Sequence, residues 1–140
     1  MKKLLLLFIP LLFLFSCETE EDNVNNCLLY GNWNLDYTEI AESVSCLCGY
    51  VESSCTETMD YCITFNIFEN GEFISQSSEF DSGEVLGTWS GGCYPKDTVI
   101  LTPNDDTLDI LTLVIQTISN NQLVCRASDE EGGTTLFMTK

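Results

Sequence analysis

The clearest fold signal in this chain of 140 residues comes from residues 61–75, YCITFNIFENGEFIS. Two runs rich in β-branched and aromatic residues lie on either side of Asn70-Gly71. A two-residue type I′ turn requires positive φ at both central positions, and Asn-Gly adopts that conformation readily. These residues therefore predict a β-hairpin.

The segments on both sides of this hairpin repeat its pattern of short β-type runs separated by Gly, Asn, Asp and Pro. They predict strands at about 33–40, 46–52, 60–68, 72–79, 84–90, 97–102, 107–117, 121–127 and 133–139. Short antiparallel strands joined by tight turns are typical of an up-and-down β-barrel of about eight strands, which closes and so leaves no free edge. The all-β alternative is a two-sheet β-sandwich.

The N-terminus has the pattern of an export signal. Lys2-Lys3 precede an apolar run from Leu4 to Phe15, which contains Pro10 and is too short for a comfortable membrane span. The sequence Leu14-Phe15-Ser16-Cys17 resembles the lipobox of bacterial lipoproteins. That resemblance implies that residues 1–16 are removed and that Cys17 carries acyl chains, which would make the membrane a partner. The alternatives are an ordinary cleaved signal and an uncleaved anchor.

Residues 17–26 are polar and acidic, and we expect them to form a flexible tether ahead of a single β domain at 27–140. Their carboxylates either form a solvated spacer or act as a sorting signal. They resemble the acidic signal with which one group of Gram-negative bacteria sends lipoproteins to the cell surface. The predicted location is therefore the bacterial cell envelope, at the outer membrane. The sequence does not decide between its periplasmic face and its surface-exposed face.

The composition limits the possible functions. The formal net charge of the whole chain is −17, and without residues 1–16 three cations remain against 22 acidic residues, which gives −19. Nucleic acid is excluded as a natural partner, because phosphate binding needs clustered Lys and Arg. Histidine is absent, which removes the commonest general base and a usual zinc ligand. We expect no catalysis, no cofactor and no metal, and we interpret Asp105, Asp106 and Asp109 as an acidic turn rather than a calcium site.

Seven cysteines remain once Cys17 is set aside, so they cannot all pair within one chain. In an oxidising compartment they predict up to three disulfides and one thiol. The local spacing favours a Cys48–Cys55 bridge across a hairpin-like turn, with Cys46–Cys62 as a second bridge. A thiolate metal site built from the same four cysteines is the alternative, although their spacing matches no common zinc pattern.

Residues 28–35, LLYGNWNL, resemble the opening of the lipocalin barrel, which has Gly-x-Trp at the start of its first strand. Further segments follow in the order seen in small bacterial lipocalin-like lipoproteins, so the resemblance covers roughly residues 28–140. These segments are TFN at 64–66, NGEF at 70–73, GTWS at 87–90, TVILTP at 98–103, IQTI at 115–118, NQLV at 121–124 and TLFMTK at 135–140.

The resemblance implies a structural role for three residues. In lipocalins the Trp of the first strand lies across the closed end of the barrel, covered by an Arg from near the last strands. Here that implies that Gly31 permits the turn into the strand, that Trp33 closes the barrel end and that Arg126, the only arginine, stacks on its ring. Bridges among the four central cysteines would stiffen the region where lipocalins have a loop over the cavity mouth.

These observations predict a lipid-anchored envelope protein without enzymatic activity. As a lipocalin-like barrel it would bind a small apolar ligand or an envelope protein. The alternative is a surface-displayed domain that recognises protein or glycan and has no internal pocket. The residues that would bind a ligand are not identified by the sequence.

Overall fold

The computed structural model describes residues 27–79, 83–127 and 133–140. Within these ranges the chain is all-β and contains no helix. The strands are β1 (Gly31–Ile40), β2 (Ser43–Cys46), β3 (Glu57–Thr58), β4 (Ile63–Ile67), β5 (Glu72–Ser77), β6 (Glu84–Gly91), β7 (Thr98–Pro103), β8 (Leu111–Ile118), β9 (Gln122–Ala127) and β10 (Thr134–Thr139).

Eight of these strands form a closed antiparallel barrel. Neighbours pair in the order β10-β9-β8-β7-β6-β5-β4-β1, and β10 pairs with β1 to complete the circle. The predicted up-and-down barrel is therefore confirmed, and the sandwich is not the fold. The hairpin predicted from Asn70-Gly71 joins β4 to β5, and Gly71 has a φ of 88°. The predicted two-residue type I′ turn is wrong, because Asn70 does not have a positive φ and the hydrogen bond from Phe68 N–H to the Glu72 carbonyl oxygen, at 3.0 Å, closes a loop of three residues.

Alternation along the strands fills the barrel with apolar side chains. Trp33 and Ile115 have no exposed surface, and Val99 and Cys125 are almost as deeply buried. Register shifts between Leu35 and Tyr37 and between residues 115 and 117 reverse the face that the following residues present. These irregularities are β-bulges, in which one extra residue re-aims the side chains that follow it.

The second predicted strand, at 46–52, is wrong in position. The second strand, β2, ends at Cys46 and pairs with the end of β1, while the short β3 runs parallel to it. Beyond Cys46 the chain turns sharply, because Cys48 and Gly49 both have positive φ, at 54° and 74°. An extended strand cannot continue through two such residues.

The predicted signal peptide at 1–16, the lipidated Cys17 and the tether at 17–26 lie outside the described residues. Among the residues that the structure does describe, none belongs to a helix long and apolar enough to cross a membrane.

Candidate functional site

One end of the barrel is closed by Trp33, as the sequence predicts. Its side chain is fully buried, and its indole N–H donates a hydrogen bond of 2.7 Å to the carbonyl oxygen of Leu29. Trp89 makes the corresponding bond to Phe68, also 2.7 Å long, and Tyr30 packs edge-on against the Trp89 ring at a centroid distance of 5.9 Å. Both indole donors are therefore satisfied, so the buried rings carry no unpaired polar group at this end.

The cation over Trp33 is Lys140, and the predicted contact with Arg126 is wrong. Lys140 Nζ lies 4.4 Å from the Trp33 ring centroid and donates hydrogen bonds to the carbonyl oxygens of Leu28 and Tyr30, at 3.0 and 2.7 Å. Desolvation lowers the pKa of Lys140. Arg126 is exposed on the outer face of β9, between the inward-facing Cys125 and Ala127.

Gly31 has the role that was predicted for it and a second one as well. Its φ of 127° is one that side-chain-bearing residues rarely adopt. A Cβ at this position would also lie 3.0 Å from Lys140 Cε. Glycine therefore permits both the turn into β1 and the passage of the Lys140 side chain towards Trp33.

Lys140 and Arg126 lie on opposite faces because of the alternation of side chains along β10 and β9. The sequence shows this alternation for β10 but not for β9. Leu136 and Met138 are buried, so the same face of the chain continues to Lys140. In β9 the run Leu123-Val124-Cys125 is apolar at three consecutive positions, so sequence alone does not show which parity faces inward. The lysine could have been found from the alternation in β10, whereas the family pattern pointed to an arginine.

Among the residues that the structure describes, a cavity of about 20 Å³ lies in the barrel interior. That volume is close to the minimum for one water molecule, whereas pockets for drug-sized ligands have volumes of about 300 Å³ or more. Its lining is entirely apolar: Leu29, Trp33, Phe65, Ile67, Val99, Leu101, Leu113, Leu123, Cys125 and Met138. A cavity this small and apolar has no room for a small-molecule ligand.

Three disulfides form, and Cys125 is left as a buried thiol, so the predicted number is confirmed. The predicted partners are wrong: Cys46 bonds to Cys55 and Cys48 bonds to Cys62, with Cα separations of 5.8 and 4.5 Å. The turn at Cys48 explains why the cysteines pair differently from the prediction. Its backbone N–H donates to the carbonyl oxygen of Tyr61, at 3.0 Å, which brings Cys48 beside Cys62 and leaves Cys46 for Cys55.

These two bridges fix a loop at the end of the barrel opposite Trp33. Leu47 is buried in the barrel core, and Met59 and Tyr61 pack against the same core. At this end β1 pairs with β2, whereas its other half pairs with β4. The segment between β2 and β4 therefore lies in the gap between β1 and β4, and Leu47, Met59 and Tyr61 are the side chains that it directs inward. We name residues 47–55 the braced loop.

The third bridge joins Cys27 to Cys93, with a Cα separation of 5.3 Å. It links the residue at which the described chain begins to the connection between β6 and β7. The predicted tether would therefore reach the barrel at its closed end, the end that contains Trp33.

A row of aromatic rings lies on the outer surface beside the braced loop. Tyr37 lies between Phe137, with a centroid distance of 4.1 Å and an interplanar angle of 11°, and Tyr50, at 5.3 Å and 19°. All three side chains are partly exposed. The register shift after Leu35 turns Tyr37 outward, where it pairs with Phe137 on the neighbouring strand β10. We name Tyr50, Tyr37 and Phe137 the aromatic row.

Carboxylates surround the aromatic row. Burial, followed by the charges of Glu39, Glu52 and Asp36, raises the pKa of Tyr37. A side-chain hydrogen bond with Glu52 is the main cause that raises the pKa of Tyr50 to about 12. Both phenols therefore stay neutral at physiological pH in a strongly negative environment.

A second acidic surface lies in the connection between β7 and β8. Asp105 accepts hydrogen bonds from the backbone N–H and the hydroxyl of Thr107, at 2.9 and 2.7 Å, and these bonds lower the pKa of Asp105. This local arrangement is the acidic turn that the sequence predicts. Within the described ranges no group of three or more Cys, Asp or Glu residues is placed to hold a metal ion.

The geometry defines a closed, eight-stranded antiparallel β-barrel with a tightly packed centre and a disulfide-braced loop. No protein-family model, no curated protein and no solved structure matches this chain. Membership of the lipocalin-like lipoproteins therefore stays a prediction from the motifs quoted above.

Proposed function

We propose that this chain is a lipid-anchored protein of the bacterial cell envelope that works without catalysis, by binding an envelope partner at its outer surface. The observation that carries the proposal is the packed interior. Between the described residues at the centre of the barrel the cavity has a volume of about 20 Å³, which supports recognition at the outer surface. The version in which a small apolar ligand occupies the barrel has little support from this geometry.

The disulfides support the proposed location. Bridges such as these three persist in oxidising compartments and are rare where glutathione keeps thiols reduced. Together with the export signal and the lipobox-like Leu14-Phe15-Ser16-Cys17, they favour an envelope protein. The negative charge would repel anionic headgroups, so attachment would depend on the acyl chains at Cys17.

Native mass spectrometry of the full chain after mild detergent extraction tests the mode of binding. We expect the mass of the acylated chain with three disulfides and no additional cargo, because the central cavity is too small for one. A bound small molecule that survives extraction and leaves only on unfolding would overturn surface recognition in favour of the internal-ligand version.

The anchor is tested by Cys17→Ser in the bacterial host. We expect the variant to lose acylation and to partition into the aqueous rather than the detergent phase, because the thiol is the attachment point for diacylglycerol. Cys125→Ser is the matched control, since it removes another unpaired thiol. Equal detergent partitioning of Cys17→Ser and the unmodified sequence would contradict lipidation. Protease treatment of intact cells then distinguishes the surface face from the periplasmic face.

A further inference from the structure

The aromatic row and the tip of the braced loop form one continuous exposed surface. Val51, next to Tyr50, is 78% exposed, which is unusual for an apolar side chain of its size. The bridges at Cys48 and Cys55 lie on either side of it, and hydrogen bonds from Tyr50 N–H to the Leu47 carbonyl oxygen and from Cys55 N–H to the Glu52 carbonyl oxygen make the loop compact. An apolar tip is therefore presented on a pre-ordered loop, which lowers the entropy lost when a partner binds.

The charge around this surface selects the chemistry of the partner. Glu39, Glu52 and Asp36 all act electrostatically on Tyr37. Of the described cations, Lys140 is bound at the closed end of the barrel and Lys96 lies in the connection between β6 and β7. Arg126, on the outer face of β9, lies in the same transverse row as Glu39 and diagonal to Phe137, so one cation borders the surface against three carboxylates. The surface thus combines aromatic faces with an excess of negative charge.

We propose that this surface docks an arginine-rich segment of a partner protein. A guanidinium stacks on aromatic faces and pairs with carboxylates in the same contact, and it sheds water more readily than a lysine ammonium. Carboxylates at the margin would steer a basic segment towards the rings. Val51 and Phe137 would contact the apolar stems of the arginine side chains. The proposal rests on the proposed function, because it names the chemistry of its partner.

Calorimetric titration of the full chain in a nonionic detergent with hexa-arginine tests this proposal. We expect Tyr50→Ala to weaken hexa-arginine binding roughly twofold to fivefold, the range that one exposed cation–π contact contributes. We expect a similar loss in Glu39→Gln/Glu52→Gln, and weaker binding of hexa-lysine than of hexa-arginine. An unchanged circular dichroism spectrum and thermal midpoint establish that each variant is folded.

Matched variants separate this site from general attraction to an acidic protein. Tyr94 is 62% exposed on the connection between β6 and β7, so Tyr94→Ala removes an equivalent ring elsewhere. Asp105→Asn/Asp106→Asn removes the same number of charges as the double glutamine variant. If these controls weaken hexa-arginine binding as much as the loop variants do, the proposal is overturned.

Two further outcomes are decisive. Binding of maltohexaose or chitohexaose that is lost in Tyr50→Ala, without site-dependent binding of hexa-arginine, would assign the surface to glycan and overturn the proposal. Failure with every probe, together with a cargo-free native mass spectrum, would overturn this inference and leave surface recognition of another partner in place. A cargo in the native spectrum would instead overturn the proposed function, whatever hexa-arginine does.

Discussion

At the scale of single residues, the closed end of the barrel depends on one cation whose contacts come from distant parts of the chain. Lys140 brings its Nζ to the Trp33 ring and to two backbone carbonyl oxygens of the segment that leads into β1. Those carbonyls precede the first strand and have no ladder partner there, so the lysine satisfies acceptors that the sheet leaves open. The same contacts join the last strand to the first.

Lys140→Gln should destabilise the protein by about 1–2 kcal/mol, because it removes the cation–π contact and charge-assisted hydrogen bonds that a shorter amide cannot restore. The measurement is urea unfolding followed by the fluorescence of the tryptophans. Arg126→Gln is the matched control and should leave the environment of Trp33 unchanged. If Arg126→Gln changes the tryptophan fluorescence of the folded protein more than Lys140→Gln does, the assignment of the cation is contradicted.

The buried thiol of Cys125 should make stability fall at alkaline pH. Burial raises its pKa from 9.0 to about 12, so the thiol stays protonated in the folded state while it ionises in the unfolded chain. Its contribution is complete below pH 9 and is lost as the pH rises towards 12. The expected loss is about 1 kcal/mol between about pH 8 and pH 10, a range below most of the tyrosine titration.

Cys125→Ala tests this prediction when its free energy of unfolding is measured over the same pH range. The variant should be less stable at neutral pH, because it leaves a small cavity, but its stability should change less with pH. A native thiol that reacts rapidly with a thiol reagent at neutral pH, or equal pH slopes for both proteins, would contradict the assignment.

At the scale of secondary-structure elements, the hairpin of β5 and β6 shows how packing selects a residue inside a strand. Gly87 is buried and pairs with Phe73 across the hairpin. A Cβ at position 87 would overlap the Phe73 ring and the carbonyl oxygen of Thr102. The absence of a side chain therefore lets an aromatic ring cover the backbone of β6, an arrangement that β-barrels use where their sheet curves.

Replacing both cysteines of one disulfide with serine removes that bridge, and the loss of stability should increase with the length of the loop that the bridge closes. The sequence separations are 9, 14 and 66 for Cys46–Cys55, Cys48–Cys62 and Cys27–Cys93. Loop-closure entropy then predicts losses of about 2.5, 3 and 4 kcal/mol for the respective double serine variants. Thermal unfolding measures the losses, and peptide mapping of the unreduced protein checks the pairing. A fragment that joins Cys48 to Cys55 would contradict it.

At the scale of the whole molecule, a strongly acidic chain closes eight of its strands into a barrel, and the two-residue β3 is left as an edge beyond β2. Closure occurs where β10 pairs with β1 over Asn34–Glu39 and Thr135–Thr139. The five cations of the whole sequence are far fewer than its 22 acidic residues. Repulsion among these surface charges keeps the protein soluble, and it also opposes the compact state.

Added salt should therefore stabilise the fold. Raising NaCl from about 10 to 300 mM shortens the screening length from about 30 Å to below 8 Å, so long-range repulsion weakens. We expect the thermal midpoint to rise by about 2–5 °C, measured by circular dichroism at pH 7. Equal concentrations of an uncharged osmolyte are the control for solvent exclusion. A midpoint that falls with NaCl would show that attractive ion pairs outweigh the net repulsion.

The sequence could predict the features that depend on local order. Alternation, Asn-Gly and the even spacing of turns determined an all-β meander, and the absence of long crossovers favoured its closure as a barrel. The seven cysteines that follow Cys17 cannot all pair with one another, so at least one thiol was expected among them. The roles of Gly31 and Trp33 came instead from the resemblance of residues 28–35 to the opening of the lipocalin barrel.

Only the tertiary structure decided which distant groups meet. The bulge after Leu35 turns Tyr37 outward, and the positive φ of Cys48 exchanges the partners of four cysteines. The end of β10 places Lys140, rather than Arg126, at the Trp33 ring. A one-residue irregularity reverses the face of every side chain after it. Its position is set by packing across the barrel, so the local sequence determines the strands while closure of the barrel determines the contacts between them.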